Sequence, residues 1–233
     1  MKVCLVGYGK MGKAIHDILK DEVVAIVSLD NKYQSIFDVK EDFDLIIDFS
    51  SHEFVYDLKK YLEKNQKCVL VGTTSHNEEE RNIIKEISHN NPVLYSSNYS
   101  LGVNLMNYLI KIATPILKEN FDIEIVEAHH NKKKDAPSGT ALMLYNTIKE
   151  ETGYKDNYSN NKQRIKEEVG ISSIRGGNVC GTHEVLYLGE DEILTIKHEA
   201  TSRNIFAKGA VLASRWLINQ KNGLYDMNDV LFK

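Results

Sequence analysis

The chain has 233 residues, 42% of them hydrophobic and 27% charged, with a formal net charge of −4. That balance belongs to a globular protein of one large or two modest domains, and it excludes a disordered or collagen-like chain. It offers no basic stripe to track nucleic acid, and apolar runs of about six residues are too short for a membrane-spanning helix.

Short apolar runs at Val3–Val6, Val23–Leu29, Leu45–Phe49, Cys68–Val71 and Pro92–Tyr95 are rich in Val and Ile and do not alternate. Strands covered on both faces have that pattern. Segments of helical period separate them at Gly12–Leu19, Glu53–Asn65 and Asn77–Ser88. This alternation predicts a parallel sheet with right-handed crossovers. Asn77, followed by Glu78, Glu79 and Glu80, has the chemistry of a helix cap with carboxylates at the positive end of the dipole. Near Asn98 the pattern changes. Gly102–Asn120 reads as a long helix interrupted at Pro115, and Phe121–His130 as a strand whose acidic residues alternate with Ile123 and Ile125. Ser138–Thr152 is helical, and Glu150–Glu168 reads as an exposed polar connection. Gly170–Arg175, Thr182–Leu188 and Glu192–Ala200 follow as strands, with a turn at Gly189–Asp191 that suits an antiparallel meander. The last helix, Ile205–Gln220, is ended by Lys221, Asn222 and Gly223. Cys4, Cys68 and Cys180 are far apart and lack metal-ligand spacing, so they read as small buried hydrophobes.

Gly7-Tyr8-Gly9-Lys10-Met11-Gly12 matches G-x-G-x-x-G directly after the first strand and at the start of the first helix. The first glycine allows a tight turn, the second lets a pyrophosphate approach the backbone, and the third lets helix and strand pack closely. The helix N-terminus then offers unpaired N–H groups to phosphate. Asp30, at the end of the second strand, is placed to accept hydrogen bonds from an adenine ribose. Gly72-Thr73-Thr74 and Ser96-Ser97-Asn98 follow two further strands, at the ends where open parallel sheets bind ligands.

Glu127-Ala128-His129-His130-Asn131-Lys132-Lys133-Lys134-Asp135-Ala136-Pro137-Ser138-Gly139-Thr140-Ala141 is the most informative stretch. A strand ends in two histidines, a basic loop follows, and Ser138 caps a helix whose first turn holds Gly139 and Thr140. Such a helix start, with lysine and histidine nearby, suits a carboxylate, and a histidine can deliver a proton near neutral pH. No metal is expected, because adjacent histidines on a strand point to opposite faces and no further ligands complete a set.

The glycine loop, the Gly72-Thr73 pair and above all E-A-H-H-x-x-K-x-D-A-P-S-G-T-A resemble the 4-hydroxy-tetrahydrodipicolinate reductase (dihydrodipicolinate reductase) family. The resemblance continues through Asn98–Asn104, Arg175-Gly176-Gly177, Gly181-Thr182-His183 and Ala200–Arg203, and ends with Gly223-Leu224-Tyr225. It implies an α/β fold: an N-terminal Rossmann dinucleotide-binding domain, 1–99 and 204–233, and an α+β substrate and oligomerisation domain, 100–203, with a mixed or antiparallel sheet. Hinges are expected near Asn98–Gly102 and Ser202–Arg203. His129 matches the family's proton donor, Lys133 its second catalytic residue, and His130, Gly139 and Thr140 its substrate contacts. Lys132 and Lys134 match nothing. Gly7, Tyr8, Gly9, Lys10, Met11, Gly12, Asp30, Gly72, Thr73, Thr74, Ser96, Ser97, Asn98 and Tyr99 match cofactor contacts. The implied reaction reduces 4-hydroxy-tetrahydrodipicolinate, a cyclic dicarboxylate of the diaminopimelate route to lysine, with NADH or NADPH, in a homotetramer.

Hydride addition to such a conjugated imine builds negative charge that a proton or cation must meet, which suits His129 and Lys133. Some members carry an arginine directly after the acidic residue of the second strand; here the order is Asp30-Asn31-Lys32. A moderate preference for NADH is therefore expected, with Lys32 able to swing toward a 2′-phosphate. A different Rossmann oxidoreductase acting on an amino or imino acid would share the glycine loop but has no use for the histidine–lysine–aspartate stretch. A non-catalytic NAD(H)-sensing regulator would need a DNA-reading helix or a basic patch. The glycine-rich start is unlike a secretion signal, so a cytoplasmic location is expected, with no membrane or nucleic-acid partner.

Overall fold

Eleven strands and seven α-helices follow one another in a computed structural model that describes residues 1–158 and 163–233. The first part runs β1 (Val3–Val6), α1 (Lys10–Leu19), β2 (Val23–Val27), β3 (Leu45–Asp48), α2 (Phe54–Leu62), β4 (Cys68–Val71), α3 (Glu78–Ser88) and β5 (Pro92–Tyr95). Then come α4 (Leu101–Leu117), β6 (Asp122–His129), α5 (Gly139–Thr152), β7 (Lys155–Asn157), β8 (Glu168–Arg175), β9 (Thr182–Leu188) and β10 (Ile193–Glu199). The chain closes with α6 (Asn204–Leu217), β11 (Gly223–Tyr225) and α7 (Met227–Phe232). These elements fall into two units, Met1–Leu101 with Asn204–Lys233, and Gly102–Arg203.

In the first unit, six strands pair in the order β11-β5-β4-β3-β1-β2, every pair parallel. β1 and β3 are buried at every position, which is why their sequences do not alternate. One face packs Cys4, Ile46, Val69 and Val93 under α2 and α3; the other packs Leu5, Leu45, Ile47 and Leu70 under α1 and α6. α6 lies close on this unit because residue 209 is glycine: a Cβ there would overlap the carbonyl of Tyr99. Asn77 caps α3 in a full capping box with Glu80.

In the second unit the strand order is β10-β9-β6-β8-β7, with β6 antiparallel to β9 and parallel to β8. The expected meander therefore holds only for the β9–β10 hairpin; β8 joins the far side of β6, and the sheet is mixed. Side chains of β6 alternate, and the odd positions from Ile123 to Glu127 are buried. Register then stacks the inward row in layers. Tyr187, Ile123 and Val169 share one layer and Val185, Ile125 and Ile171 the next. His183, Glu127 and Ser173 form the third layer, and His129 lies opposite Arg175. The row changes from apolar to polar at the end of the sheet, and α5 packs Ala141, Leu144 and Ile148 on its apolar part.

Several boundaries differ from the sequence reading. β2 ends at Val27, leaving Leu29 83% exposed and Asp30 in the turn beyond. α1 begins at Lys10, so Gly12 lies inside it. Pro115 does not interrupt α4, which continues to Leu117; one missing N–H is tolerated near a helix end. β7 occupies part of the expected 150–168 connection, of which residues 159–162 lie outside the described residues. β11 and α7 were not anticipated: three residues at Gly223 pair with β5, and Asp226 caps a short helix. Of the cysteines only Cys4 is buried; Cys68 is half-buried, and Cys180 lies in the partly exposed segment before β9.

Candidate active site

In the first unit the glycine loop lies at the carboxyl end of β1. Gly7 takes φ +89, and a Cβ at Gly12 would overlap the Gly7 carbonyl, so helix and turn meet backbone to backbone. α1 has Gly9 as its N-cap, with no side-chain cap and no acidic residue in its first turn. A Cβ at residue 9 would meet nothing within 4 Å. Open space above unpaired N–H groups fits a pyrophosphate. A cleft there is lined by Gly9, Lys10, Met11, Gly72, Thr73 and Thr74, together with the unanticipated run Phe49–His52 and Ser75. Tyr8 turns aside from this row, its hydroxyl bonded to His16 Nδ1 at 2.7 Å.

The run after β3 has its own organiser, Asp48. It is 2% exposed, accepts from the Ser50 backbone N–H at 3.0 Å and from the Ser50 hydroxyl at 2.5 Å, and Thr73 also bonds to it. Burial pushes its carboxyl up to about 6, against hydrogen bonds from Ser50 and Thr73 that pull it down. Thr73 Oγ1 in turn accepts from the Ser50 N–H at 2.9 Å, tying the two ligand-side loops together.

Ser96 to Tyr99 and Asp30 lie outside the lining of this cleft. Ser96 Oγ donates to the Asn98 carbonyl at 2.9 Å, and Asn98 Oδ1 accepts from Ser100 N at 2.9 Å, so both side chains shape their own turn. Tyr99 is buried, its hydroxyl donating to the Val71 carbonyl at 2.8 Å and its ring packed on Phe49, which leaves it only backbone for a ligand. Asp30 is exposed. Lys32 is held by Glu41 at 2.7 Å rather than free beside Asp30.

In the second unit the polar end of the inward row is a hydrogen-bonded cluster. Glu127 is fully buried. Arg175 grips it in bidentate fashion, Nη1 to Oε2 at 2.9 Å and Nη2 to Oε1 at 2.7 Å. His129 Nδ1 lies 2.5 Å from Oε2, and the Ser138 N–H donates to Oε1 at 3.3 Å. Burial alone would raise this carboxyl; hydrogen bonds from Arg175, Ser173 and His129 outweigh it and hold the group at about 2. His183 lies beneath, Nε2 3.0 Å from the Ser138 hydroxyl and its ring edge-on to His129 at 5.1 Å. Burial, with the His129 charge second, pushes His183 down to about 4.

The structure therefore brings His129, Lys133, His130 and the start of α5 to one end of this sheet. Lys133 Nζ pairs with Asp135 at 2.9 Å, and that bond lowers the Asp135 carboxyl. Lys132 and Lys134 are exposed. His130 follows the end of β6 and its Nε2 accepts from Arg203 at 2.9 Å; burial and the Arg203 charge hold it below the usual histidine range. Ser138 caps α5 by accepting from Ala141 N at 3.2 Å, with Gly139 exposed and Thr140 half-buried in the first turn. Arg175 also donates to the Asp135 carbonyl at 2.8 Å, linking the lysine loop to the buried carboxylate. The sequence reading did not assign Glu127, Arg175, His183 or Asp48 a role. The available signal was a charge at an inward position: Glu127 continues the Ile123–Ile125 row.

A parallel Rossmann sheet opening on a glycine loop, together with a mixed sheet ending in a carboxylate–histidine cluster, defines a nicotinamide-dependent α/β oxidoreductase. Family signatures described as dihydrodipicolinate reductase, N-terminus, and dihydrodipicolinate reductase, C-terminus, match residues 1–99 and 102–231. The chain belongs to the dihydrodipicolinate reductase family. The 4-hydroxy-tetrahydrodipicolinate reductase of Caldanaerobacter subterraneus is 42% identical, over 97% of this chain and 95% of its own. The enzyme of the same name from Staphylococcus haemolyticus is 38% identical over 99% and 100%. A dipicolinate-bound dihydrodipicolinate reductase from a Paenisporosarcina species superposes with a TM-score of 0.79, at 21% identity over 99% of both chains, and shares the fold. Among the described residues no helix is long and apolar enough to cross a membrane, and no cluster suits a metal ion.

Proposed function

We propose that this chain reduces 4-hydroxy-tetrahydrodipicolinate to tetrahydrodipicolinate with NADH or NADPH. One hydride and one proton enter, the 4-hydroxyl leaves as water, and oxidised coenzyme is released. The observation that carries the reading is the end of the second sheet, where the Glu127-bonded His129, Lys133 and the Ser138-capped helix start come together. A general acid, a cation and an anion cradle are what a cyclic dicarboxylate imine requires.

The nicotinamide, when bound, supplies the hydride. His129 donates the proton, and Lys133 meets the negative charge that develops on the ring. His130, Gly139 and Thr140 hold the carboxylates. Gly7 to Gly12 and Gly72 to Thr74 hold the coenzyme, with Ser96, Ser97, Asn98 and Tyr99 shaping the neighbouring turn and Asp30 meeting the adenine ribose. The first unit serves as the dinucleotide domain and the second as the substrate domain. The preference is for NADH, moderately, because Asp30 would face a 2′-phosphate while Glu41 holds Lys32 away. A cytoplasmic homotetramer built through the second unit's sheet belongs to the same reading; its strand β10 exposes Ile193 at 66% and Leu194 at 43%. Purified protein with freshly generated substrate should consume NADH in a substrate-dependent way. No consumption of either coenzyme overturns the proposal.

A further inference from the structure

A carboxylate at position 127 is costly where it stands. It continues the row Ile123, Ile125, fully buried, on the face that α5 covers with Ala141, Leu144 and Ile148. An apolar side chain would pack there without desolvating a charge. Glu127 is nonetheless saturated with donors: two from Arg175, one from the Ser138 backbone and His129 Nδ1. Hydrogen bonds keep it ionised, and an ionised carboxylate only accepts, so the hydrogen between it and His129 belongs to Nδ1.

We propose that Glu127 is a positioning residue: its carboxylate, clamped by Arg175, fixes His129 with Nδ1 protonated, so that Nε2 is the atom that carries and delivers the proton. This rests on the reductase reading for the reaction, but not for the coupling of the two side chains. Three features of the surroundings serve the same geometry. The His183 ring, edge-on at 5.1 Å, holds the plane of His129. On the Nε2 side stands Gly181, where a Cβ would come within 3.0 Å of that nitrogen. Arg175 grips the carboxylate through both oxygens and so fixes the acceptor that His129 Nδ1 meets. Among the described residues, the ionisable groups near His129 include Glu127 on β6, Arg175 on β8, His183 on β9, and His130, Lys133 and its partner Asp135 in the loop after β6. Burial keeps His183 neutral near pH 7. Among the described residues, Glu127 is the anion hydrogen-bonded to the ring.

The test is Glu127→Gln in the full chain. Glutamine can accept from Arg175 through its oxygen but presents an N–H to His129 Nδ1, which favours the opposite tautomer. Turnover should fall by roughly 10²-fold or more while NADH affinity is unchanged, as for a misoriented general acid. The alkaline fall of kcat/KM should move to lower pH, and Glu127→Asp should restore part of the rate. Imidazole ¹⁵N spectra of the wild-type protein provide a readout that needs no variant and no turnover: neutral His129 should be the Nδ1–H tautomer. Neutral His129 found as the Nε2–H form overturns the proposal, as does near-normal turnover in Glu127→Gln. A slow Glu127→Gln with an unmoved pH profile and an unchanged tautomer makes the role purely structural and also overturns it. If the wild-type protein does not reduce the substrate, the reductase reading fails, while the tautomer still reports whether Glu127 orients His129.

Discussion

Lys132, Lys133 and Lys134 carry the same charge in one loop, and only Lys133 is drawn in, to 20% exposure, by Asp135. Asp135 is in turn tied through its carbonyl to Arg175 and so to Glu127. A lysine held in this way can meet a developing charge without first losing its freedom. His129→Gln and Lys133→Ala should therefore each lower kcat by roughly 10²-fold or more with NADH binding unchanged, whereas Lys132→Ala and Lys134→Ala should be mild. Steady-state kinetics with a separate coenzyme titration checks all four. Coenzyme choice is decided on the same scale. Since Lys32 is already paired with Glu41, Glu41→Gln should free it and raise kcat/KM for NADPH selectively. Asp30→Ala should narrow the gap between the coenzymes, and adding Lys32→Ala to Glu41→Gln should cancel the gain for NADPH. Measurement of both coenzymes at one ionic strength decides, and a strong wild-type preference for NADPH would sink the argument.

At the scale of the element, the proposed carboxylate cradle depends on how α5 begins. Ser138 uses its hydroxyl to cap the helix and its N–H to bond Glu127, and Gly139, exposed, and Thr140, half-buried, follow it in the first turn. Thr140→Val should raise KM for the dicarboxylate more than it alters NADH affinity, since a hydrogen bond to a charged group contributes about 1.5–3 kcal/mol. A changed coenzyme affinity with unchanged KM would reassign this helix start. At α3 the same chemistry serves stability alone. Asn77 and Glu80 close a capping box that was legible in the sequence, and Asn77→Ala should cost about 0.5–2 kcal/mol, read from the denaturant midpoint.

Across the whole molecule, buried groups with displaced titration make stability depend on pH, and three of them show both signs. His183 sits at about 4 instead of 6.5, so below about pH 6.5 only the unfolded chain takes up its proton, and stability is lost as the pH falls toward 4. Glu127, held at about 2 instead of 4.5, extends that loss to lower pH. Asp48 works in the opposite sense: raised from 3.8 to about 6, it favours the fold at low pH and loses that contribution as the pH rises through 6. Between about pH 7 and pH 5 His183 and Asp48 thus pull stability in opposite senses, and His183→Gln should gain on the wild type as the pH falls across that window. Asp48→Asn should gain on the wild type at about pH 7, with the difference vanishing near pH 4. Thermal scans across this range test both signs.

The alternation of Val- and Ile-rich runs with helical segments was enough to specify the parallel sheet, because strand and helix periods are local and burial on both faces leaves a continuous apolar run. The glycine loop and the Asp-Ala-Pro-Ser-Gly-Thr helix start were equally legible, since turns and caps are made by neighbours in the chain. What only the tertiary structure decided depends on partners far apart in sequence. β8 lies beside β6 and not β9, three residues at Gly223 find β5 as a partner, and Arg175 reaches Glu127 across 48 positions. A buried charge resembles any other acidic residue until its counter-ion is in place. For that reason His129 could be singled out from the sequence, while the carboxylate that orients it emerged only once the strands were in register.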